Sequence, residues 1–114
     1  HIIVLYDNEL PCYADFPEIQ RGFVEVTRLM VRLMEDRTGD GYVFRTALRL
    51  RPDPGATPIA ISTTAAEVYY ESAGQNWERA AMIKARPVAC DKQASERFLA
   101  RIAPFVWRKY LDFA

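Results

Sequence analysis

Three arginines in the segment Tyr42–Arg51 are the side chains of this sequence best suited to bind an anion. With the period-two alternation of a β-strand, one face carries Arg45, Arg49 and Arg51. Guanidinium groups bind phosphate oxygens in a bidentate manner, so neighbouring arginines on one face can share a polyanion. Ala47 lies among them, where a carboxylate would have neutralised their charge. A solvated strand face that pairs with an acidic helix is the open alternative.

The sequence lacks the residues that other common catalytic and cofactor-binding sites require. The single histidine is His1, at the first position, so no Ser–His or Cys–His nucleophile pair is expected. The five glycines form neither a phosphate-binding loop nor a dinucleotide fingerprint. Cys12 and Cys90 are too few and too far apart for a disulfide framework or a zinc site, and we predict buried or half-buried free thiols in a reducing cytoplasm. The remaining possibilities are carboxylate–metal chemistry and anion binding.

The composition indicates one globular domain. Of the 114 residues, 50% are hydrophobic, 12% aromatic and 26% charged, which excludes a disordered chain and a coiled coil. No apolar run approaches the roughly 20 residues of a membrane helix, and we expect no signal peptide. The 15 basic and 15 acidic residues cancel, although residues 1–40 are acidic and the rest is basic. Either oppositely charged elements lie side by side, or the later part meets an anion; neither nucleic acid nor a membrane is expected as a partner.

The first elements that must position these side chains are a strand and a long helix. Ile2–Tyr6 is β-branched and aromatic, which predicts a buried central strand, and its position at the start of the sequence suggests a piece of a larger protein. From Pro17, apolar residues recur every three or four positions, which predicts a helix that ends near Gly39 and packs this stripe into the core. The stripe consists of Ile19, Phe23, Val26, Leu29, Met30, Leu33 and Met34.

Two further strands follow this helix. Tyr42–Arg51 alternates, and the face opposite the arginines belongs in a core. The proline-rich residues 52–55 end that strand, because proline cannot donate a backbone hydrogen bond. Ile59–Ser62 is predicted to be a short strand.

The last third of the chain is predicted to be helical. Thr63 or Thr64 can cap a helix that Gly74 ends, and a second helix covers about 77–85. Asp91 is predicted to cap a third helix that continues to the chain end, with a start or kink near Pro104. The order of elements predicts an α+β domain with a small mixed sheet. We expect a single domain over 1–114, with the sheet part at about 1–62 and the helical part at about 63–114.

Five motifs stand in order along the chain. They are Gly41–Arg45, Leu48–Pro52, Trp77–Arg79, Ile83–Val88 and Arg108–Phe113. In combination they resemble the family of bifunctional glutamine synthetase adenylyltransferase/adenylyl-removing enzymes. The resemblance is strongest to the amino-terminal, adenylyl-removing half, and it implies part of a nucleotidyltransferase fold that continues into helices.

This resemblance implies chemistry on a tyrosine of glutamine synthetase. One half of such enzymes transfers AMP from ATP, and the other removes it with inorganic phosphate and releases ADP. It also implies control by regulatory proteins of nitrogen signalling, a cytoplasmic location, and Mg²⁺ with ATP, ADP or phosphate as cofactors. In this fold three carboxylates hold two Mg²⁺ ions, since phosphoryl transfer depends on positioning and charge neutralisation.

The sequence departs from the family pattern at its carboxylates. His1 occupies the place of the second aspartate of an Asp-x-Asp pair, and Ala47 occupies the place of the third aspartate. The first aspartate and a glycine–serine motif are expected upstream of the chain. We therefore predict that the chain binds no metal tightly and does not transfer adenylyl groups by itself. Whether the replacements are natural or engineered is left open.

Five basic side chains are predicted to bind phosphate or nucleotide even without the carboxylates. They are Arg45, Arg49, Arg51, Lys84 and Arg86. Two alternatives are a non-enzymatic module that binds a protein partner or nucleotide through its arginine-rich face, and a chain that self-associates and is completed by a second copy.

Overall fold

The computed structural model describes residues 1–9 and 16–107. The elements are β1 (Val4–Tyr6), α1 (Phe16–Glu35), β2 (Ala60–Ser62), α2 (Thr63–Ser72), α3 (Asn76–Met82) and α4 (Lys92–Val106). The α+β class, the long helix after the first strand and the C-terminal helical part are thereby confirmed. No helix among the described residues is both long and apolar enough to cross a bilayer. Cys90 is exposed, so the prediction of a buried or half-buried thiol was wrong at this position. Cys12 and the motif at 108–113 lie outside the described residues.

The two described strands pair in parallel. Val4 lies opposite Ala60 and Tyr6 lies opposite Ser62. All three residues of β2 are buried, whereas β1 is buried only at Tyr6. The prediction of a buried central strand was therefore wrong, because β1 lies at the edge of a sheet of two described strands and is only partly covered. Parallel pairing requires a crossover between the strands, which here consists of α1 and the long segment that follows it.

The hydrophobic core lies between the sheet and the C-terminal helices. Tyr70 on α2 is fully buried, and its ring centroid lies 5.3 Å from that of Phe105 and 6.4 Å from that of Phe98, both on α4. Ile61 of β2 belongs to the same cluster. The other members are Ala66, Met82, Ile102 and Val106. Sheet and helices thus share one core, centred on α2 and α4.

The structure confirms one of the two helix caps that the sequence predicted. The Asp91 carboxylate accepts the backbone N–H of Ala94 at 3.0 Å, which confirms the predicted cap of α4. At α2, however, the cap is Ser62, whose hydroxyl accepts the N–H of Ala65 at 3.1 Å. The prediction of Thr63 or Thr64 was wrong by one residue or two, because β2 leads directly into the helix. Helix α4 continues through Pro104.

The apolar stripe of α1 is not core packing along its whole width. Val26, Leu29 and Leu33 are 64%, 52% and 67% exposed, whereas Thr27 is buried. The inward side is fixed by Phe23, whose ring stacks on that of Tyr6 with centroids 4.8 Å apart. A helix of 20 residues is about 30 Å long, and two strands of three residues cannot cover it. The prediction that the stripe packs in the core was therefore wrong for the shoulder formed by Val26, Leu29 and Leu33.

The predicted strand Tyr42–Arg51 is absent from the described structure. The N–H groups of Val43 and Phe44 both donate to the carbonyl of Met34 at 3.0 Å, so this segment folds back on the end of α1. Both side chains are exposed. The alternation of apolar and basic residues is typical of a strand. The backbone N–H groups, however, donate to a carbonyl at the end of α1 and not to a neighbouring strand.

Candidate functional site

The segment that follows α1 carries most of the predicted site residues, and the end of α1 anchors it. The N–H of Thr46 donates to the Glu35 carboxylate at 2.8 Å. One residue further, the carbonyl of Ala47 accepts the N–H of Ile2 at 3.0 Å. This single sheet-like contact brings the segment alongside the beginning of the chain.

The two positions at which carboxylates were expected are brought together by that contact. His1 precedes Ile2 directly, and Ala47 is half-buried opposite Ile2. A shallow apolar cavity lies beside them, and His1, Met30 and Phe44 contribute to its lining. Neither position holds an acidic side chain. Within residues 1–9 and 16–107, no three His, Cys, Asp or Glu side chains are grouped so that they could hold a metal ion. The residues present do not fit the two-magnesium site that the resemblance implies.

The three arginines do not lie on one face, since the strand that would align them is not formed. Arg45 is exposed beside Glu35, Arg37 and Tyr42, where together they line a shallow polar depression. Arg49 is exposed at the turn Leu48–Arg51, which is closed by a 3.4 Å contact from the Arg51 N–H to the Leu48 carbonyl. The sequence placed three guanidinium groups side by side, and the structure separates them.

Arg51 is half-buried and directs its guanidinium group into its own loop. Nη1 donates to the carbonyl of Leu48 at 2.8 Å, and Nη2 donates to the carbonyls of Pro54 and Thr57 at 3.0 and 3.2 Å. Nε also approaches the Thr57 carbonyl, at 3.4 Å. Carbonyl oxygens therefore occupy the donors that an anion would use.

Lys84 and Arg86 lie just after α3, and both are exposed. Neither forms an ion pair with a described residue. They follow Glu78 by six and eight residues and belong to the segment between α3 and α4. Their ammonium and guanidinium groups are accessible to a ligand from solvent.

Glu78 is the residue that sequence reasoning placed least well. In the motif Trp77–Arg79, the sequence is compatible with Glu78 and Arg79 as a surface ion pair or as an orienting pair beneath the arginines. The structure leaves Glu78 only 1% exposed. Its carboxylate accepts the N–H of Asp53 at 3.1 Å, the hydroxyl of Tyr69 at 2.9 Å and the N–H of Gln75 at 2.8 Å. The spacing of Gln75 and Glu78 is that of a capping box, a signal that could have placed this carboxylate at the start of α3.

The electrostatic effect of this carboxylate is visible at two tyrosines. Burial, followed by the hydrogen bond and negative charge of Glu78, raises the pKa of Tyr69 to about 12. Burial and the same charge also raise the pKa of Tyr70. Both phenols are therefore held in their neutral form well above their ordinary titration range.

Comparison with known proteins assigns this arrangement to a family. The family model described as glutamate-ammonia ligase adenylyltransferase matches residues 2–101. The chain belongs to the glutamate-ammonia ligase adenylyltransferase family. The resemblance inferred from the five motifs is thereby confirmed.

Individual relatives agree with this assignment. Bifunctional glutamine synthetase adenylyltransferase/adenylyl-removing enzymes of Brucella suis biovar 1 and Rhizobium meliloti are 58% and 56% identical over 113 residues, which is 99% of this chain. The enzyme of the same name from Agrobacterium fabrum is 54% identical over 112 residues. The chain spans 12% of the length of the first two relatives and 11% of the third.

Proposed function

We propose that this chain contributes part of a nucleotidyltransferase unit that adds AMP to, or removes it from, a tyrosine of glutamine synthetase. The proposal is supported by the family match over residues 2–101 and by relatives whose names state both reactions. By itself the chain is catalytically impaired. The observation that carries this part is the contact between Ile2 and Ala47, because it brings together two expected carboxylate positions that hold histidine and alanine.

Ligand binding is proposed to depend on the accessible basic side chains. Arg45, Arg49, Lys84 and Arg86 are all exposed and can reach phosphate oxygens. The sequence also predicts Arg51 as a binding residue, although its donors are directed to backbone carbonyls. The expected ligands are ATP, ADP and inorganic phosphate. Without carboxylates to hold Mg²⁺, we expect their binding to be weak and independent of the metal.

Partners and compartment follow from the same family membership. We propose that glutamine synthetase is the protein substrate of the whole enzyme and that a regulatory protein of nitrogen signalling controls it. The compartment stays our prediction of a reducing cytoplasm, which is compatible with the exposed free thiol of Cys90.

Calorimetric titration tests the ligand proposal. The chain is titrated with phosphate, ADP and ATP, each with and without Mg²⁺. We expect weak, metal-independent binding, and a measurably lower affinity in Arg49→Ala. Arg28→Ala is the matched control, because Arg28 is another exposed arginine, on α1, whose ion pair is with Glu25. Tight nucleotide binding that requires Mg²⁺ would contradict the proposal that the metal site is impaired. Wild-type affinity in Arg49→Ala would show that Arg49 is not a phosphate-binding residue.

A second candidate function is that of a non-enzymatic module that associates with another protein surface or with itself. The exposed shoulder of Val26, Leu29 and Leu33 favours it, since apolar side chains in a row are typical of packing surfaces. Light scattering at increasing concentration tests this candidate. A mass that rises with concentration and returns to that of one chain in Leu29→Asp supports association, and a constant monomer mass contradicts self-association.

A further inference from the structure

We infer that Glu78 and Arg51 act together as positioning residues that hold the turn Leu48–Arg51 and thereby present Arg49 to a phosphate group. The inference rests on the proposed phosphate binding by Arg49 and assigns to Arg51 a role through that residue. Two networks of hydrogen bonds support this inference, and both involve the loop formed by residues 48–57.

The first network centres on the Glu78 carboxylate. It receives donors from three separate parts of the chain, namely Asp53 in the loop, Tyr69 on α2 and Gln75 before α3. A carboxylate that is almost completely removed from solvent is costly unless its oxygens are hydrogen-bonded. All three donors must therefore stay in place together, which ties the loop to the helical part of the fold.

The second network centres on the Arg51 guanidinium group. Its donors reach the carbonyls of Leu48, Pro54 and Thr57, on both sides of Arg51 in the sequence. The Thr57 hydroxyl reinforces the same loop, since it lies 2.6 Å from the carbonyl of Pro52 and 2.9 Å from that of Asp53. The loop is thus closed around Arg51.

Asp53 is the link between the two networks. Its N–H donates to Glu78, and its φ of 46° is in the left-handed region, which a non-glycine residue adopts only at a cost in energy. The hydrogen bond to Glu78 holds Asp53 in that conformation. Pro52 is buried between Arg51 and Asp53, and its ring restricts the backbone of the preceding residue, Arg51.

Arg49 lies at the turn that these contacts fix. It is exposed, and the carbonyl of Leu48, the residue before it, accepts the Arg51 guanidinium. A side chain that projects from an ordered turn loses less conformational entropy on binding than one on a mobile loop. Loss of either network should therefore weaken phosphate binding through Arg49, and this effect requires no contact of Glu78 or Arg51 with the ligand.

The test measures the affinity of the 114-residue chain for inorganic phosphate and the amide hydrogen exchange of Asp53. The variants are Glu78→Gln, which replaces one acceptor oxygen by a donor, and Arg51→Lys, which keeps the charge but cannot reach three carbonyls. Glu71→Gln on the exposed side of α2 is the control. We expect about tenfold weaker phosphate binding in each variant, faster Asp53 exchange, and no change in the control.

A double-mutant cycle separates positioning from a general loss of stability. In an Arg49→Ala background, Glu78→Gln should cause no further loss of phosphate affinity, because its effect acts through Arg49. Full affinity in folded Glu78→Gln, or an additional loss in the double variant, would overturn the inference. If Glu78→Gln does not fold, Arg51→Lys gives the same two readouts. A wild-type chain that does not bind phosphate contradicts the proposed function, whereas unchanged Asp53 exchange in Glu78→Gln and Arg51→Lys contradicts this inference alone.

Discussion

The N–H of Ile2 donates to the carbonyl of Ala47 at 3.0 Å, and this contact joins the start of the chain to a segment 45 residues later. It brings His1 and Ala47 to one edge of the small sheet. These are the positions at which the family resemblance predicts aspartates. The distance in sequence is large, yet the two positions meet because parallel pairing of β1 with β2 leaves the Ile2 backbone free to pair with the Ala47 segment.

Restoring carboxylates at these two positions should restore metal binding. We expect the double variant His1→Asp/Ala47→Asp to bind Mg²⁺ in calorimetry in the presence of ATP, because hard carboxylate oxygens are the ligands that Mg²⁺ prefers. Ala56→Asp, in an exposed part of the loop, is the control. If the double variant binds Mg²⁺ no better than this control, the placement of the metal site at His1 and Ala47 is wrong.

Gly74 should not tolerate a methyl group. A Cβ at this position would lie 2.6 Å from Cζ of Phe105 and 2.9 Å from the carbonyl oxygen of Tyr70. We expect Gly74→Ala to lower the free energy of unfolding by about 1–3 kcal/mol, since a buried ring must shift. Gly22→Ala is the matched control: nothing lies within 4 Å of its Cβ, and alanine in the interior of α1 should stabilise by about 0.5–1 kcal/mol. Urea denaturation measures both, and equal effects would contradict the packing at Phe105.

Cys90 has a φ of 67°, in the left-handed region that favours glycine. Its side chain is exposed, so glycine sacrifices little packing. We expect Cys90→Gly to raise the free energy of unfolding by about 0.5–1 kcal/mol, because the strain of a Cβ in this conformation is removed. Ala89→Gly, at the neighbouring exposed position, should instead leave stability unchanged or reduce it. Thermal unfolding under reducing conditions distinguishes the two, and a destabilised Cys90→Gly would contradict the backbone conformation.

Tyr69 should titrate near pH 12. The chain has six tyrosines, so the signal is isolated as the difference in phenolate absorbance between wild type and Tyr69→Phe. Because its pKa is raised in the folded chain from 10.0 to about 12, the neutral phenol stabilises the fold below pH 10, and this contribution is lost as the pH rises through 12. Glu78→Gln removes the negative charge but leaves burial, so the pKa should fall and stay above 10. A wild-type midpoint near 10 would contradict the contact.

The exposed shoulder of α1 should contribute little to stability. Leu33 is 67% exposed, so Leu33→Asp is expected to change the free energy of unfolding by less than about 0.5 kcal/mol. Ile102→Ala, which truncates a buried side chain of α4, should cost about 2–5 kcal/mol. Chemical denaturation compares the two variants. A large loss in Leu33→Asp would mean that the stripe is buried, as the sequence alone predicted.

The sequence predicted the helices more accurately than the strands. Apolar spacing after Pro17 and the Asp91 cap are local signals, and the helices they indicate, α1 and α4, are present. The Tyr42–Arg51 pattern was also strand-like, but a strand requires partners that are distant in sequence. Val43 and Phe44 bond instead to Met34 at the end of α1. The local periodicity of the sequence therefore did not predict which carbonyl groups would accept hydrogen bonds from these backbone N–H groups.

By itself the sequence determined the α+β class, the order of most elements and the family, because periodicity, caps and motifs are properties of consecutive residues. Only the tertiary structure decided how the chemically important side chains are arranged. It directs the guanidinium group of Arg51 toward carbonyls of the surrounding loop and separates Arg45 from Arg49. It also buries Glu78 among donors from three segments. The physical reason is that burial and hydrogen-bond partners depend on contacts between residues far apart in the chain, which no pattern of neighbours encodes.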